Sequence, residues 1–233
     1  TTDLPEGGQQ RYVLQKVNHN VFRDIDRLMQ NVFAVTSFLQ EKIKAAGGDP
    51  DRETLHFIKT KDGAQYYTAP DGDYFRAYVF VKDSTSYDAV ESAALFQKSG
   101  EAFGRFQHLL ADFPAETLYE TIPNFHKTLW RYENDVHSYP PRRTADHVAS
   151  FLLGELTAAG QLPLRVTHND TKLNNVLFDA TAGEAICVID LDTVMPGLAH
   201  YDFGDSIRFG ANTAAEDEAD LSKVSLDLEY FGA

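Results

Sequence analysis

The chain has 233 residues, of which 43% are hydrophobic, and its formal net charge is −14. This length suffices for one large domain or two lobes, and sixteen Phe with eleven Tyr supply enough large apolar side chains to exclude a disordered chain. The acidic balance disfavours nucleic acid and anionic membranes as partners, no apolar run approaches the ~18 residues of a membrane span, and the single cysteine excludes an internal disulfide.

The first 82 residues have the pattern of a small strand-rich lobe. The run Arg11–Val17 is strand-like, and apolar residues then recur at helical spacing from Asp24 to Ala46. Strands are predicted again at Leu55–Lys59 and Tyr74–Val81, with Gly- and Pro-containing turn signals between them. The predicted order over residues 1–82 is therefore strand, long helix, strand, strand.

The remainder, residues 83–233, reads as a larger and mainly helical lobe. Amphipathic stretches predict helices at Tyr87–Leu110 and at Ala145–Ala159, the second closed by Gly160. Ser84–Ser86 is the expected hinge between the two lobes. Three short strands are also predicted, at Leu164–Thr167, Asn175–Phe178 and Ala185–Ile189.

A polar segment between the first two of these strands holds residue types that suit phosphoryl transfer. In VTHNDTKLNNVLFD, Asp170 is followed by Lys172 and Asn175, and the run AICVID then ends in Asp190, twenty residues after Asp170 (190 − 170 = 20). We expect a loop to present the first three side chains on one edge, where the neighbouring strand also delivers Asp190. These residues offer a proton acceptor, a fixed positive charge and two oxygen ligands for Mg²⁺.

The segment HNDTKLNN resembles the catalytic loop of protein kinases and, more closely, that of the aminoglycoside phosphotransferase and choline kinase superfamily. Asp190, with Gly197 and Asp202 after it, resembles the metal-binding strand of that superfamily and the residues that follow it. The longer runs HNDTKLNNVLFD, VIDLDTVMPG and DFGDSIRFGAN resemble the N-acetylhexosamine 1-kinase group, which phosphorylates the anomeric hydroxyl of N-acetylglucosamine and N-acetylgalactosamine. The strong match covers about Arg165–Asn212, and weaker similarity extends through most of the chain.

The resemblance implies a protein-kinase-like α+β fold with a small strand-rich lobe (residues 1–82) that binds nucleotide and a larger, mainly helical catalytic lobe (residues 83–233). It implies ATP and Mg²⁺ as cofactors. No glycine-rich phosphate loop is present, and the long helix has Glu41 near its end instead of a central glutamate. Because that loop would precede the first strand, and because family members usually continue beyond the point where this chain ends at Ala233, we expect the chain to be truncated at both ends.

The roles implied for the loop residues follow the family pattern. Asp170 would be the catalytic base or the group that orients the attacking hydroxyl, and Lys172 would lie near the transferring phosphoryl group. Asn175 and Asp190 would hold Mg²⁺, with Asp192 as an additional candidate ligand.

Other candidate residues surround the loop and the nucleotide. His168 is expected to brace the loop, and Asp202 either to brace it or to cap local backbone. Lys16 is the candidate phosphate contact in the small lobe, with Gln15 as the alternative. Three residues of the linker are expected to meet the adenine through their backbone: Phe80, Val81 and Lys82.

The predicted reaction is phosphoryl transfer from Mg-ATP to the anomeric hydroxyl of an N-acetylhexosamine, a small-molecule amino sugar, in the cytoplasm. The same chemistry on choline, an amino alcohol or an aminoglycoside is the first alternative. A non-catalytic nucleotide-binding module is another. A metal-dependent hydrolase is the last, and it would use four ligands: His168, Asp170, Asp190 and Asp192.

Overall fold

The computed structural model of the protein describes residues 1–3, 8–125, 152–214 and 218–232. The strands, in chain order, are β1 Thr2–Asp3, β2 Gln9–Gln10, β3 Tyr12–Val17, β4 Phe57–Ile58, β5 Tyr67–Thr68, β6 Tyr74–Val79, β7 Ser84–Thr85, β8 Arg165–Thr167, β9 Val176–Asp179, β10 Ala185–Val188 and β11 Met195–Gly197. The α-helices are α1 Ile25–Ala45, α2 Pro50–Glu53, α3 Ala93–Leu109, α4 152–158, α5 Ala199–Gly210 and α6 Leu228–Phe231. Short 3₁₀ turns lie at Ala115–Thr117, Leu173–Asn175, Leu191–Thr193 and Leu221–Lys223.

The small lobe is built on an antiparallel sheet in the order β3-β6-β4, with β5 also paired to β6. In its register Gln15 lies opposite Arg76 and Lys16 lies opposite Phe75. Because successive strand residues point to opposite faces, Gln15 and Arg76 share one face and Lys16 lies on the other. The face of Arg76 is covered by α1, whose Met29 sulfur lies 3.8 Å from Arg76 Nη1.

The helix α1 confirms the long helix predicted over residues 24–46. It begins where the Asp24 side chain accepts a hydrogen bond from the Arg27 N–H at 3.0 Å. Its buried positions recur at helical spacing and include Leu28 and Val32, which are both fully buried. The chain leaves the helix through Gly47, whose φ of 81° is a conformation that glycine adopts without strain.

The helices of the second lobe differ from prediction at their starts. The helix α3 begins at Ala93, six residues after the predicted start at Tyr87 (93 − 87 = 6), because the Ser92 side chain caps it by accepting from the Leu95 N–H at 3.2 Å. Of the helix predicted over residues 145–159, residues 152–158 are helical and Gly160 follows at φ 70°, whereas its beginning lies outside the described residues. The three predicted short strands are confirmed as β8, β9 and β10.

The expected hinge is a paired strand and not a loose linker. Ser84 and Thr85 form β7, which pairs with β9 of the second lobe. Arg52 of α2 donates to the Lys82 carbonyl at 2.5 Å and forms an ion pair with Asp179 at the end of β9. The backbone hydrogen bonds of β7 therefore attach the linker to the larger lobe, and Arg52 fastens it to the smaller one.

The two lobes together form a two-lobe α+β fold with one continuous apolar core. The buried cluster runs from Val17 and Leu28 in the small lobe to Phe106, Val166 and Phe178 in the large lobe. The strand-rich small lobe and the larger lobe with its helices agree with the fold class expected from sequence, while the boundary at residue 82 stays a prediction. Among the described residues, no helix combines the length and apolarity needed to cross a membrane.

Candidate active site

The polar loop lies between β8 and β9, at the edge where two strand pairs meet. β8 pairs with β11 and β9 pairs with β10, so residues 168–175 leave one pair and enter the other. A 3₁₀ turn at Leu173–Asn175 returns the chain to β9. His168 Nε2 lies 2.9 Å from the carbonyl oxygen of Ile189, which joins the start of the loop to the residue just before Asp190.

The Asp202 side chain of α5 binds the backbone at the start of the loop. Its carboxylate accepts the backbone N–H of His168 at 2.9 Å and that of Asn169 at 2.8 Å, and it also accepts from the Gln107 side chain. The Asp202 carbonyl accepts from the Thr171 hydroxyl at 2.7 Å. Asn169 has a φ of 68°, a strained conformation for a residue other than glycine, and the two carboxylate bonds hold the chain in it.

His168 lies underneath the loop and is completely buried. Its ring packs edge-on against Phe103 and Phe106, with centroid distances of 5.3 and 5.8 Å. Its Nδ1 accepts from the Asp170 N–H at 3.3 Å, and Nε2 therefore carries the proton that is donated to Ile189. Both ring nitrogens are occupied, which argues against His168 as a metal ligand and so against the hydrolase alternative.

The Asp170 carboxylate is surrounded by the two polar residues that follow it in the loop. Asn175 Nδ2 donates to Asp170 Oδ2 at 2.9 Å and to the Asp170 carbonyl at 2.8 Å. Lys172 Nζ lies 3.3 Å from Asp170 Oδ1. Because the Asn175 amide nitrogen faces Asp170, the Asn175 amide oxygen points away from Asp170.

Asp190 begins the turn after β10 in the left-handed region, with a φ of 57°. The residue is exposed as a whole, yet protein surrounds its carboxylate closely enough that burial raises the pKa of Asp190, and the charge of Asp192 adds to the shift. Arg76 acts on this pKa in the opposite direction, and Asp170 acts in the same direction as Asp192. The carboxylates of Asp170 and Asp192 thus both lie within electrostatic reach of Asp190.

Asp192 forms a buried ion pair across the lobes. Its Oδ1 lies 2.5 Å from Nη1 of Arg76 in β6, with the two side chains 12% and 2% exposed respectively. At this distance the Arg76 guanidinium neutralises the Asp192 carboxylate. The charge of Asp192 acts on Asp190 in the same turn, and the carboxylate oxygens of these residues, with the Asn175 amide oxygen, are hard ligands of the type that suits a bound cation.

The predicted nucleotide contacts are separated by the fold. Lys16 forms an ion pair with Asp73 at 2.5 Å on the sheet face opposite Arg76, and its side chain is 55% exposed. Gln15 lies on the Arg76 face, where its Oε1 accepts from Arg76 Nε and Nη2 at 3.0 and 2.9 Å.

In the linker, three backbone groups of the residues expected to meet adenine are already hydrogen-bonded. The Phe80 N–H donates to the Arg11 carbonyl at 3.0 Å, and the Val81 carbonyl accepts from the Ser84 hydroxyl at 2.8 Å. The Lys82 carbonyl accepts from Arg52. These bonds fix the conformation of the linker, and its contact with adenine stays a prediction.

Two residues that the sequence analysis did not single out are central to this geometry, Arg76 and Asn31. The Asn31 amide donates to the carbonyls of Tyr119 and Val194 at 2.7 and 3.0 Å, and its oxygen accepts the Tyr119 N–H at 2.9 Å. It joins the first half of α1 to the large lobe beside the turn at Leu191–Thr193. A polar residue among the apolar positions of α1 was the available signal for Asn31, whereas Arg76 carried none before the strand register was known.

The sequence from residue 7 to residue 226 matches the phosphotransferase enzyme family, and the chain therefore belongs to that family. Among solved structures, it is similar to a microcompartment-associated aminopropanol kinase at 16% identity and a TM-score of 0.55, over 86% of this chain and 63% of the other. It is also similar to an aminoglycoside phosphotransferase from Alicyclobacillus acidocaldarius at 12% identity and a TM-score of 0.51, over 88% and 63% of the two chains.

A third similar structure is the amicoumacin kinase hAmiN in complex with AMP-PNP, Ca²⁺ and Ami. It is 16% identical with a TM-score of 0.53, over 99% of this chain and 65% of the other. The chain thus spans just under two thirds of the length of these three proteins. At these identities the structural similarity establishes the kinase-like fold. It does not establish membership of the N-acetylhexosamine kinase group.

Proposed function

We propose that the protein is an ATP-dependent phosphotransferase that moves the γ-phosphoryl group of Mg-ATP onto a hydroxyl of a small molecule, the anomeric hydroxyl of an N-acetylhexosamine. One observation carries the proposal. The Asp170 carboxylate, with Lys172 and Asn175 in contact with it, lies within electrostatic reach of Asp190 on a loop fixed by buried hydrogen bonds. Family membership supports the same reaction class.

The chain's own residues divide the chemistry between them. Asp170 accepts a hydrogen bond from the acceptor hydroxyl, aligns its oxygen with the γ-phosphorus and receives the proton as the new O–P bond forms and the bond to ADP breaks. An anomeric hydroxyl is more acidic than an ordinary alcohol, so alignment is the larger part of this role. Lys172 supplies positive charge at the transferring group, and His168 and Asp202 keep the loop in place.

The residues present fit a divalent cation. Asn175, Asp190 and Asp192 offer amide and carboxylate oxygens, the ligand type that Mg²⁺ prefers. Burial raises the pKa of Asp190 most, and a cation would offset the further rise caused by the charges of Asp192 and Asp170. When bound, Mg²⁺ neutralises phosphate oxygens and orients the nucleotide. The solved structure of hAmiN, which contains AMP-PNP and Ca²⁺, supports nucleotide and divalent metal as ligands of this fold.

An amine-bearing alcohol is the alternative acceptor. The similar structures include an aminopropanol kinase and an aminoglycoside phosphotransferase, and the net charge of −14 suits a cationic substrate. The two acceptor classes differ in a way that a panel resolves directly. We would measure ADP release with Mg-ATP and N-acetylglucosamine, N-acetylgalactosamine, glucose, choline, aminopropanol, homoserine or kanamycin, with phosphorus NMR of the products.

Turnover restricted to the acetylated sugars, with phosphate on the anomeric carbon, is the expected result. Turnover on an amine-bearing acceptor would retain the kinase reaction and replace the substrate. Binding of ATP without ADP release above background for any acceptor would instead support a non-catalytic nucleotide-binding module.

Replacing the proposed base separates chemistry from binding. Asp170→Asn is expected to keep the fold and the affinity for ATP while lowering kcat by about 10² or more, because the proton acceptor is removed. Asp227→Asn is the matched control, since that aspartate accepts two backbone N–H groups at the start of α6 in an ordinary cap. Near-native turnover by Asp170→Asn would contradict the role given to Asp170.

A further inference from the structure

Phosphoryl transfer is favoured by positive charge around the nucleotide phosphates, because negative charge spreads over the transferring group. On the large-lobe side the loop supplies Lys172. On the small-lobe side Lys16 is paired with Asp73 on the outer face of the sheet. A cation on the inner face would let the small lobe contribute charge to phosphate binding, and Arg76 is placed there by the register of β3 and β6.

Resting on the proposed function, we propose that Arg76 is the phosphate-binding cation of the small lobe, presented by Gln15 and Asp192. Its guanidinium is fixed on one side, where Nε and Nη2 both donate to Gln15 Oε1. Its Nη1 reaches out of the small lobe to Asp192 in the turn that begins with Asp190. Arg76 thus crosses from the sheet of the small lobe to the turn at Leu191–Thr193 of the large lobe.

The contact between Arg76 and Asp192 places a buried guanidinium beside the turn that begins with Asp190. The two charged atoms are 2.5 Å apart, and Arg76 Nη1 also lies 3.8 Å from the Met29 sulfur. A buried ion pair usually contributes to folding only when its remaining donors and acceptors are satisfied. A cation at Asp192 and a phosphate at Arg76 would satisfy both partners together.

The alternative is that Arg76 and Asp192 form a purely structural ion pair. Comparing the binding of ligands with and without phosphate distinguishes this alternative from a phosphate contact. A phosphate contact matters for ATP and ADP but not for adenosine, whereas a structural defect weakens all three. Loss of a phosphate contact weakens nucleotide binding even in the absence of metal. Loss of a metal ligand weakens it only when metal is present. Affinities are therefore measured by calorimetry for ATP, ADP and adenosine, in EDTA and again with Mg²⁺.

Arg76→Met alone would leave the Asp192 charge buried without its partner and could prevent folding. The decisive comparison is therefore Arg76→Met/Asp192→Asn against Asp192→Asn, because neither variant leaves the Asp192 carboxylate buried without its partner, and in Asp192→Asn the Arg76 guanidinium keeps its two hydrogen bonds to Gln15. Arg105→Met is the matched control for removal of an arginine, since Arg105 pairs with Glu53 on the surface of α3. Lys16→Gln tests the competing small-lobe cation.

We expect the double variant to bind ATP and ADP about 10- to 100-fold more weakly than Asp192→Asn in EDTA, with adenosine affinity within about twofold. Equal ATP affinity in these two variants, equal weakening for adenosine, or a loss seen only in Lys16→Gln would each overturn the inference and leave the proposed function standing. Failure of the unmodified chain to bind ATP at all would overturn both.

Discussion

The loop anchor Asp202 gives the sharpest test of how the site is held together. Asp202→Asn preserves the shape of the side chain but replaces one carboxylate oxygen with an amide nitrogen, which then faces a backbone N–H of His168 or Asn169. One charge-assisted hydrogen bond is lost and the other is weakened, and each such bond is worth about 1.5–3 kcal/mol. The expected loss is therefore about 3 kcal/mol, which lowers Tm by about 6–12 °C in a protein of this size.

The assay is thermal unfolding followed by circular dichroism, with ADP release measured on the same samples below the transition. Turnover is expected to fall at least about tenfold, because Asp170 follows directly on the two anchored residues and a small misplacement is costly in an aligned reaction. Asp227→Asn is the control, since Asn is as good a helix cap as Asp and its Tm change corresponds to less than about 1 kcal/mol. Equal Tm changes in the two variants would refute the reasoning.

Two further predictions concern groups away from the loop. Asn31→Ala removes three hydrogen bonds to backbone groups and is expected to cost about 2–4 kcal/mol in urea unfolding, and a cost below about 1 kcal/mol would contradict this. Cys187, whose pKa burial raises to about 12, is expected to resist Ellman's reagent at about pH 8 until urea unfolds the protein, and rapid reaction of the folded protein would contradict its burial. The pKa of this thiol is near 9.0 in the unfolded chain and about 12 in the folded protein. The free energy of unfolding therefore falls as pH rises between these values, because only the unfolded chain loses the proton. Cys187→Ala removes this part of the pH dependence.

The local parts of this structure could be predicted because local chemistry determines them. The apolar spacing of α1 and the turn signals around the short strands are contained in neighbouring residues. The error at α3 shows the limit of that information. The apolar pattern runs on toward Tyr87, but the Ser92 cap starts the helix later, and a cap is a weaker signal in sequence than an apolar stripe.

The contacts that complete the site could not be predicted from spacing. Arg76 meets Gln15 only because β3 and β6 pair in one particular register, and a shift by one residue would place Lys16 on the inner face instead. The ion pair between Arg76 and Asp192 joins residues 116 positions apart (192 − 76 = 116) and follows from the packing of the lobes. The resemblance of the loop to kinases suggested that Asp202 braces it, but the two backbone N–H groups that it accepts emerge only from the fold.

The shared core has a consequence for the synthesis of the protein. The inner face of α1 is complete once residue 82 has been made, but the Val194 carbonyl that Asn31 binds is added 112 residues later (194 − 82 = 112). At translation rates of about 5–20 residues per second, the nascent small lobe waits roughly 6–22 s with apolar surface uncovered. We expect chaperones and proteases to have access to it during that interval, so variants that weaken the lobe contact are expected to lower the yield in cells by a larger factor than their effect on the purified protein would suggest.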